Sequence, residues 1–208
     1  MRGKWKISVA LGLLLIAAAL SLTLYNVAES RRAGNAAANV VSTLREKISS
    51  SELAPGAPAS SPDVPQSPEH IGEVSREMPC ITIDGLDYIG YIEFPSLDLT
   101  LPVLYEWSLD TLALAPARYK GSAYLDDLII FAHNYTSHFG RLGRLGVGDE
   151  IIFTDADGNI FRYAVTELET IAMSDVEAMT DGEWDLTLFT CTMSGTSRFT
   201  VRCERVEK

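Results

Sequence analysis

The chain has 208 residues, a formal net charge of −11 and three cysteines. The charge is unevenly placed: residues 81–208 hold 9 basic and 21 acidic side chains, while the first 80 residues carry a net +1. So acidic a body is a poor partner for nucleic acid, and an odd cysteine count supplies no disulfide framework to stabilise it.

The first segment, residues 1–30, is predicted to be a membrane anchor. Ile7 to Tyr25 is a run of 19 residues without a charge, and at about 1.5 Å per residue it spans about 28 Å, close to the hydrocarbon thickness of a bilayer. A cleaved signal peptide is the rival reading, but its apolar core is usually only about 7 to 15 residues long. Arg2, Lys4 and Lys6 precede the run, and Arg31 and Arg32 follow it with Glu29 nearby. The positive-inside rule then puts the N-terminus in the cytoplasm and the body outside the cell, a single-pass topology.

Residues 31–80 are predicted to connect anchor and body. Within Asn35 to Ser50, Ala38, Val41, Leu44 and Ile48 recur at helical spacing, giving a juxtamembrane helix that acts as a spacer. Ser49 to Pro79 is rich in proline and serine and has no hydrophobic period. It is expected to be a flexible or extended linker.

From Ile81 to the end, residues 81–208, short β-branched and aromatic runs alternate with Gly, Pro and Asp clusters. That pattern predicts an all-β domain, a closed barrel or a sandwich, with a few short helices. Asp157-Gly158 marks a hairpin turn inside TDADGN (Thr154 to Asn159). Helices are expected at Ser108 to Leu114 and Ser174 to Met179, each with its serine as cap.

The chemistry concentrates around TLFTC, Thr187 to Cys191. Alternation puts Leu186 and Leu188 on one face of this strand, and Thr187, Phe189 and Cys191 on the other. The following strand places Phe199, Val201 and Cys203 on the apolar face and Arg198, Thr200 and Arg202 opposite, so Cys191 and Arg198 are expected to project together from an outer, polar face. A strand cysteine is commonly a small buried hydrophobe, which suits Cys203; for Cys191 that reading and a reactive thiol both stand. A thiol near its reference pKa of about 8.5 needs a base or a cation to become a nucleophile. Of the three histidines, His70 lies in the linker, His133 ends LIIFAHN, and His138 follows inside a loop. Cys, His and Arg together are the minimum set for acyl transfer: nucleophile, proton carrier, oxyanion stabiliser.

TLFTC with Arg198 seven residues on, FAHN upstream, GDEIIFTDADGNIFRYAV between them and the opening run GYIEFPSLDLTLPVLY together resemble the sortases, over roughly residues 87–206. Sortases are membrane-anchored cysteine transpeptidases of Gram-positive bacteria. The resemblance implies an eight-stranded closed β-barrel, with Cys191 as nucleophile, His133 as proton carrier and Arg198 as stabiliser; Thr190 matches a family threonine that helps line the oxyanion site. It also implies a thioacyl intermediate, secreted proteins bearing a sorting signal as substrates, an amine of the cell wall or of a pilin as acceptor, and no metal or organic cofactor. Ala132 stands where many members have Gly. The His-Asn pair is reminiscent of class B, but the long helix of that class has no place in Thr166 to Trp184, and no class is assigned. Glu167 to Trp184 corresponds to the loop that shapes the substrate groove. Alternatives are a non-catalytic tethered barrel and a cysteine peptidase that only hydrolyses. Calcium at Asp155 to Asn159 and zinc held by His133, His138 and Cys191 are the metal readings, and each lacks a full ligand set.

Overall fold

The computed structural model of the protein describes residues 2–52 and 77–206. The first element, α1 (Arg2–Glu52), is one continuous helix. No proline interrupts it, so the apolar run and the predicted juxtamembrane helix are two parts of the same rod. Among the described residues it is the helix long and apolar enough to cross a membrane, and its leucines from Leu11 to Leu24 are exposed. Beyond Ser30 the surface changes. Ala33, Ala37, Val41, Leu44 and Ile48 are all buried, a single face at helical spacing.

That face lies on the outside of the β-domain. Leu44 and Ile48 pack with Ile83, Tyr88, Leu104, Leu112, Ala115 and Ala117, and burial of Val41, Leu44 and Ile48 contributes about 1.5 to 3 kcal/mol each. The segment is therefore docked against the body, not a free spacer. The stripe also runs through Ala37 in place of Ala38, which is exposed. Of the linker expected over Ser49 to Pro79, residues 53–76 lie outside the described residues. Its end already belongs to the core: Met78 is buried, and its sulfur accepts hydrogen bonds from Ser122 and the Ala123 N–H.

Nine strands follow: β1 (Ile81–Ile83), β2 (Leu86–Phe94), β3 (Leu99–Leu104), β4 (Ala117–Lys120), β5 (Leu128–Ala132), β6 (Glu150–Asp155), β7 (Ile160–Ala172), β8 (Leu186–Cys191) and β9 (Ser197–Arg205). Eight of them close a barrel in the order β2-β3-β4-β5-β8-β9-β7-β6, with β6 returning to β2, and β1 adds to the start of β2. Closure pairs Gly90 with Asp155 and Glu93 with Ile152. Gly90 has φ +144, and a Cβ there would stand 2.0 Å from the Thr154 carbonyl oxygen; only glycine lets the strands approach that closely. Ile92, Phe94, Ile130, Phe153, Tyr163 and Leu188 are among the side chains that fill the interior, all fully buried.

The face of β8 that points away from this core is not polar surface. Phe189 joins Ile129, Ile171 and Met179 in a third apolar cluster, to which α2 (Val176–Thr180) contributes Met179. Arg202 is 3% exposed. It donates to Glu169 Oε1 at 2.7 Å, the Met179 carbonyl at 3.2 Å, Thr187 Oγ1 at 3.1 Å and the Ala178 carbonyl. Strand alternation correctly assigned these residues to the outer side, but they are buried there against Ile171 of the neighbouring strand β7 and against α2.

Smaller differences have local causes. Glu167 to Trp184 is not all loop, since β7 runs to Ala172 and pairs with β9 as far as Ser197. Asp175, and not Ser174, caps α2: its Oδ1 accepts the Ala178 N–H at 3.1 Å. The helix expected from Ser108 is a 3-10 turn at Thr111–Ala113, with Ser108 Oγ accepting the Thr111 N–H at 3.1 Å. In the β6–β7 hairpin Asp155 accepts from the backbone N–H groups of Asp157 and Asn159 at 2.9 and 2.8 Å and from the Tyr124 hydroxyl.

Candidate active site

Strands β5 and β8 run parallel, with Ala132 paired to Thr190 at their last register position. Thr190 Oγ1 donates to the Ala132 carbonyl at 2.8 Å, tying the two strand ends together. The next residues, His133 and Cys191, therefore leave the barrel at the same level. On the other side of β8 the antiparallel partner of Cys191 is Arg198, and directly opposed residues bring their Cβ atoms within about 4.5 to 5.5 Å on one face. The turn between the strands is fixed by Thr192 N–H donating to Ser197 O and Gly195 N–H to Thr192 O, both at 3.0 Å. Thiol, imidazole and guanidinium thus share one rim.

Each of the three is placed differently with respect to water. Cys191 is partly exposed, whereas Cys203 is buried and Cys80 exposed at the edge of the body. Burial pushes the Cys203 thiol pKa far up and makes it inert. Cys191 opens into a cavity of about 190 Å³, whose lining includes Asn134, Phe139, Gly140, Thr190, Met193 and Phe199. Arg198 donates only to the adjacent Ser197 carbonyl, at 3.3 Å, and among the described residues no carboxylate pairs with it. Its charge is left for whatever enters the rim.

His133 is half-buried, and that burial lowers its pKa, favouring the neutral imidazole. Its ring stacks on Tyr135 with centroids 5.0 Å apart. The second imidazole of the loop, His138, is 0% exposed. Burial first, and then the nearby His133, bring its pKa down to about 4. Neither ring nitrogen has a hydrogen-bond partner; the Leu114 backbone opposes the drop without reaching hydrogen-bond geometry. Of the two imidazoles, only His133 has access to the rim. Among the described residues no group of three or more His, Cys, Asp or Glu is placed to hold a metal ion.

Thr190 lines the cavity at Cys191, and its hydroxyl donates to the Ala132 carbonyl, so the side chain is also a tie between the two strands. Sequence reasoning missed Met193, which is 95% exposed just past the cysteine and receives a long contact of 3.8 Å from Asn134 Nδ2. It also missed Tyr135. No periodicity marks either residue, because both lie outside the strands and helices.

A closed barrel carrying a cysteine, a histidine and an arginine on one rim defines the class of cysteine-site β-barrels. The chain belongs to the sortase family: residues 92–206 match the sortase domain model. Among solved structures it is similar to sortase C1 of Streptococcus agalactiae, at 28% identity and TM-score 0.52 over 61% of this chain and 72% of that one. A Clostridium perfringens sortase C with the C-terminal cell wall sorting motif shares the fold at 24% identity and TM-score 0.51, over 59% and 72%. So does a lid mutant of Corynebacterium diphtheriae sortase A, at 23% and 0.52, over 65% and 74%. No curated relative matches the chain. The family is one of cysteine transpeptidases, and the neighbours include both C and A types, so the class stays unassigned.

Proposed function

We propose that this sortase is a single-pass membrane enzyme, with a cytoplasmic N-terminus and an external barrel, that joins secreted proteins to an amine of the cell wall or a pilin. The observation that carries the reading is the register at the rim: Cys191 opposite Arg198 in one strand pair, and one residue beyond Ala132–Thr190 in the other. The sorting motif seen with the C. perfringens sortase C supports a sorting-signal peptide as substrate.

In the first half-reaction the Cys191 thiolate attacks the scissile carbonyl carbon, and Arg198 stabilises the oxyanion that forms. The C–N bond then breaks as protonated His133 gives its proton to the departing amine, leaving a thioester on Cys191. In the second, an acceptor amine attacks the thioester, neutral His133 takes the amine proton, and the thiolate leaves as the new amide forms. Thr190 serves by holding the two strand ends level. Burial disfavours the charged ring of His133, so it favours the neutral acceptor used in the second half-reaction, and the first half-reaction draws on the protonated fraction.

The full chain in detergent, incubated with a sorting-signal peptide library, should accumulate an acyl adduct on the peptide containing Cys191, read by mass spectrometry. Cys191→Ala should form none. With hydroxylamine present, hydroxamate should form faster than free acid. Acid as the sole product would instead assign a hydrolytic peptidase, and a Cys191 inert to both the library and iodoacetamide would assign a non-catalytic binding barrel.

A further inference from the structure

As α1 leaves its apolar stretch, the first part of the body it touches is the loop that carries His133. The Ser30 hydroxyl donates to Ser137 Oγ at 3.1 Å and accepts the Ser137 N–H at 3.3 Å. One turn further along, Gly34 leaves no room to spare: a Cβ built there would stand 3.0 Å from Ser137 Cβ. Ala33 and Ala37 flank it, both buried. Small side chains on this face let helix backbone and loop come together closely.

The loop behaves as a closed unit. Phe139 N–H donates back to the His133 carbonyl at 3.2 Å, and the His138 and Gly140 N–H groups both donate to the Tyr135 carbonyl at 2.9 Å. Tyr135 in turn stacks on the His133 ring. A push on Ser137 is therefore passed to His133 through short, mutually bonded backbone. Few polar contacts resist it from elsewhere: the His138 nitrogens have no partner, and Asn134 makes only its long contact to Met193. Among the described residues, the two hydrogen bonds with Ser30, at 3.1 and 3.3 Å, tie the loop from outside it.

We propose that Ser30 and Gly34 of α1 are positioning residues for His133, so that the helix that anchors the protein also sets the placement of the imidazole relative to Cys191. The proposal rests on the reading of His133 as proton carrier. A reacting group displaced by about 1 Å can lose about 100-fold in rate, so a side chain that levers the loop away by part of that distance has a measurable effect on turnover and a small one on folding.

The test uses the full chain in detergent micelles with a sorting-signal peptide and hydroxylamine. Gly34→Val should lower kcat by about tenfold while KM stays within about twofold. The limb of the pH profile set by His133 should move up, towards the ordinary imidazole range, as the lifted ring becomes hydrated. Adding Ser137→Gly removes the Cβ that the valine meets, together with the Oγ that Ser30 donates to, so it should recover kcat to about the level of Ser30→Ala, a coupling that two independent defects would not show. Ser30→Ala, which hardly changes volume, should lower kcat by about threefold, and it carries the test if the valine variant does not fold. Wild-type kcat and pH profile in both Gly34→Val and Ser30→Ala would overturn the proposal, and so would a loss in Gly34→Val that Ser137→Gly leaves unrepaired. Turnover in the unmodified protein that persists in Cys191→Ala would overturn the functional reading itself, a separate result.

Discussion

Replacing His138 by leucine should change how stability depends on pH while leaving stability near neutrality almost unaltered. The imidazole is 0% exposed and has no hydrogen-bond partner, so an apolar side chain of similar size forfeits little. Its folded pKa is held near 4, against an ordinary 6.5. Because the folded value is the lower one, the unfolded chain takes up a proton first as the solution is acidified. The neutral ring's contribution is intact above 6.5 and is lost as pH falls towards 4. At roughly 1.4 kcal/mol per pH unit the loss over the window is about 3 kcal/mol, of which about 2 kcal/mol has gone by about pH 5. His138→Leu lacks this loss. Urea denaturation of the full chain in micelles, followed by tryptophan fluorescence, should put the variant within about 1 kcal/mol of wild type at about pH 7.5 and about 2 kcal/mol above it at about pH 5. Carboxylates titrate in both proteins and cancel in the comparison. Parallel stability curves for the two proteins between those pH values would refute the account of His138 as a ring kept neutral by burial.

His133→Ala and Arg198→Ala should each reduce kcat/KM by about 10² to 10⁴, the range for a lost proton carrier or oxyanion donor, and Arg198→Lys should recover only part because it keeps the charge without the planar fork. The pH–rate limb belonging to His133 should lie on the acid side of 6.5, since burial lowers its pKa; a limb at or above that value in unmodified protein would contradict the buried setting. Arg202→Ala should cost about 3 kcal/mol, read by thermal melting, because it strips the partner from Glu169 and from two carbonyls of α2.

The strands were legible in the sequence because β-branched alternation and turn residues are local signals, and Cys191 beside Arg198 followed from seven residues of spacing across one tight turn. His133 was legible only through the likeness of FAHN and TLFTC to a known family: no spacing rule tells that a residue 58 positions upstream ends the neighbouring parallel strand. What covers a surface was not legible at all. Phe189, Thr187 and Arg202 alternate as outward-facing residues should, and their burial depends on side chains of β7 and on α2 from elsewhere in the chain. The same holds for α1, where contact with the barrel wall buries Ala37 in place of the expected Ala38, and for His138, a loop residue that the fold encloses.

The parallel pairing of β5 with β8 has a consequence for how the protein matures. Two strands that run side by side in the same direction cannot be joined by a simple hairpin, and here the hairpin of β6 and β7 lies between them in the chain. Contacts this distant in sequence form slowly, after local ones. Cys191 therefore meets His133 only once that long-range pairing has formed.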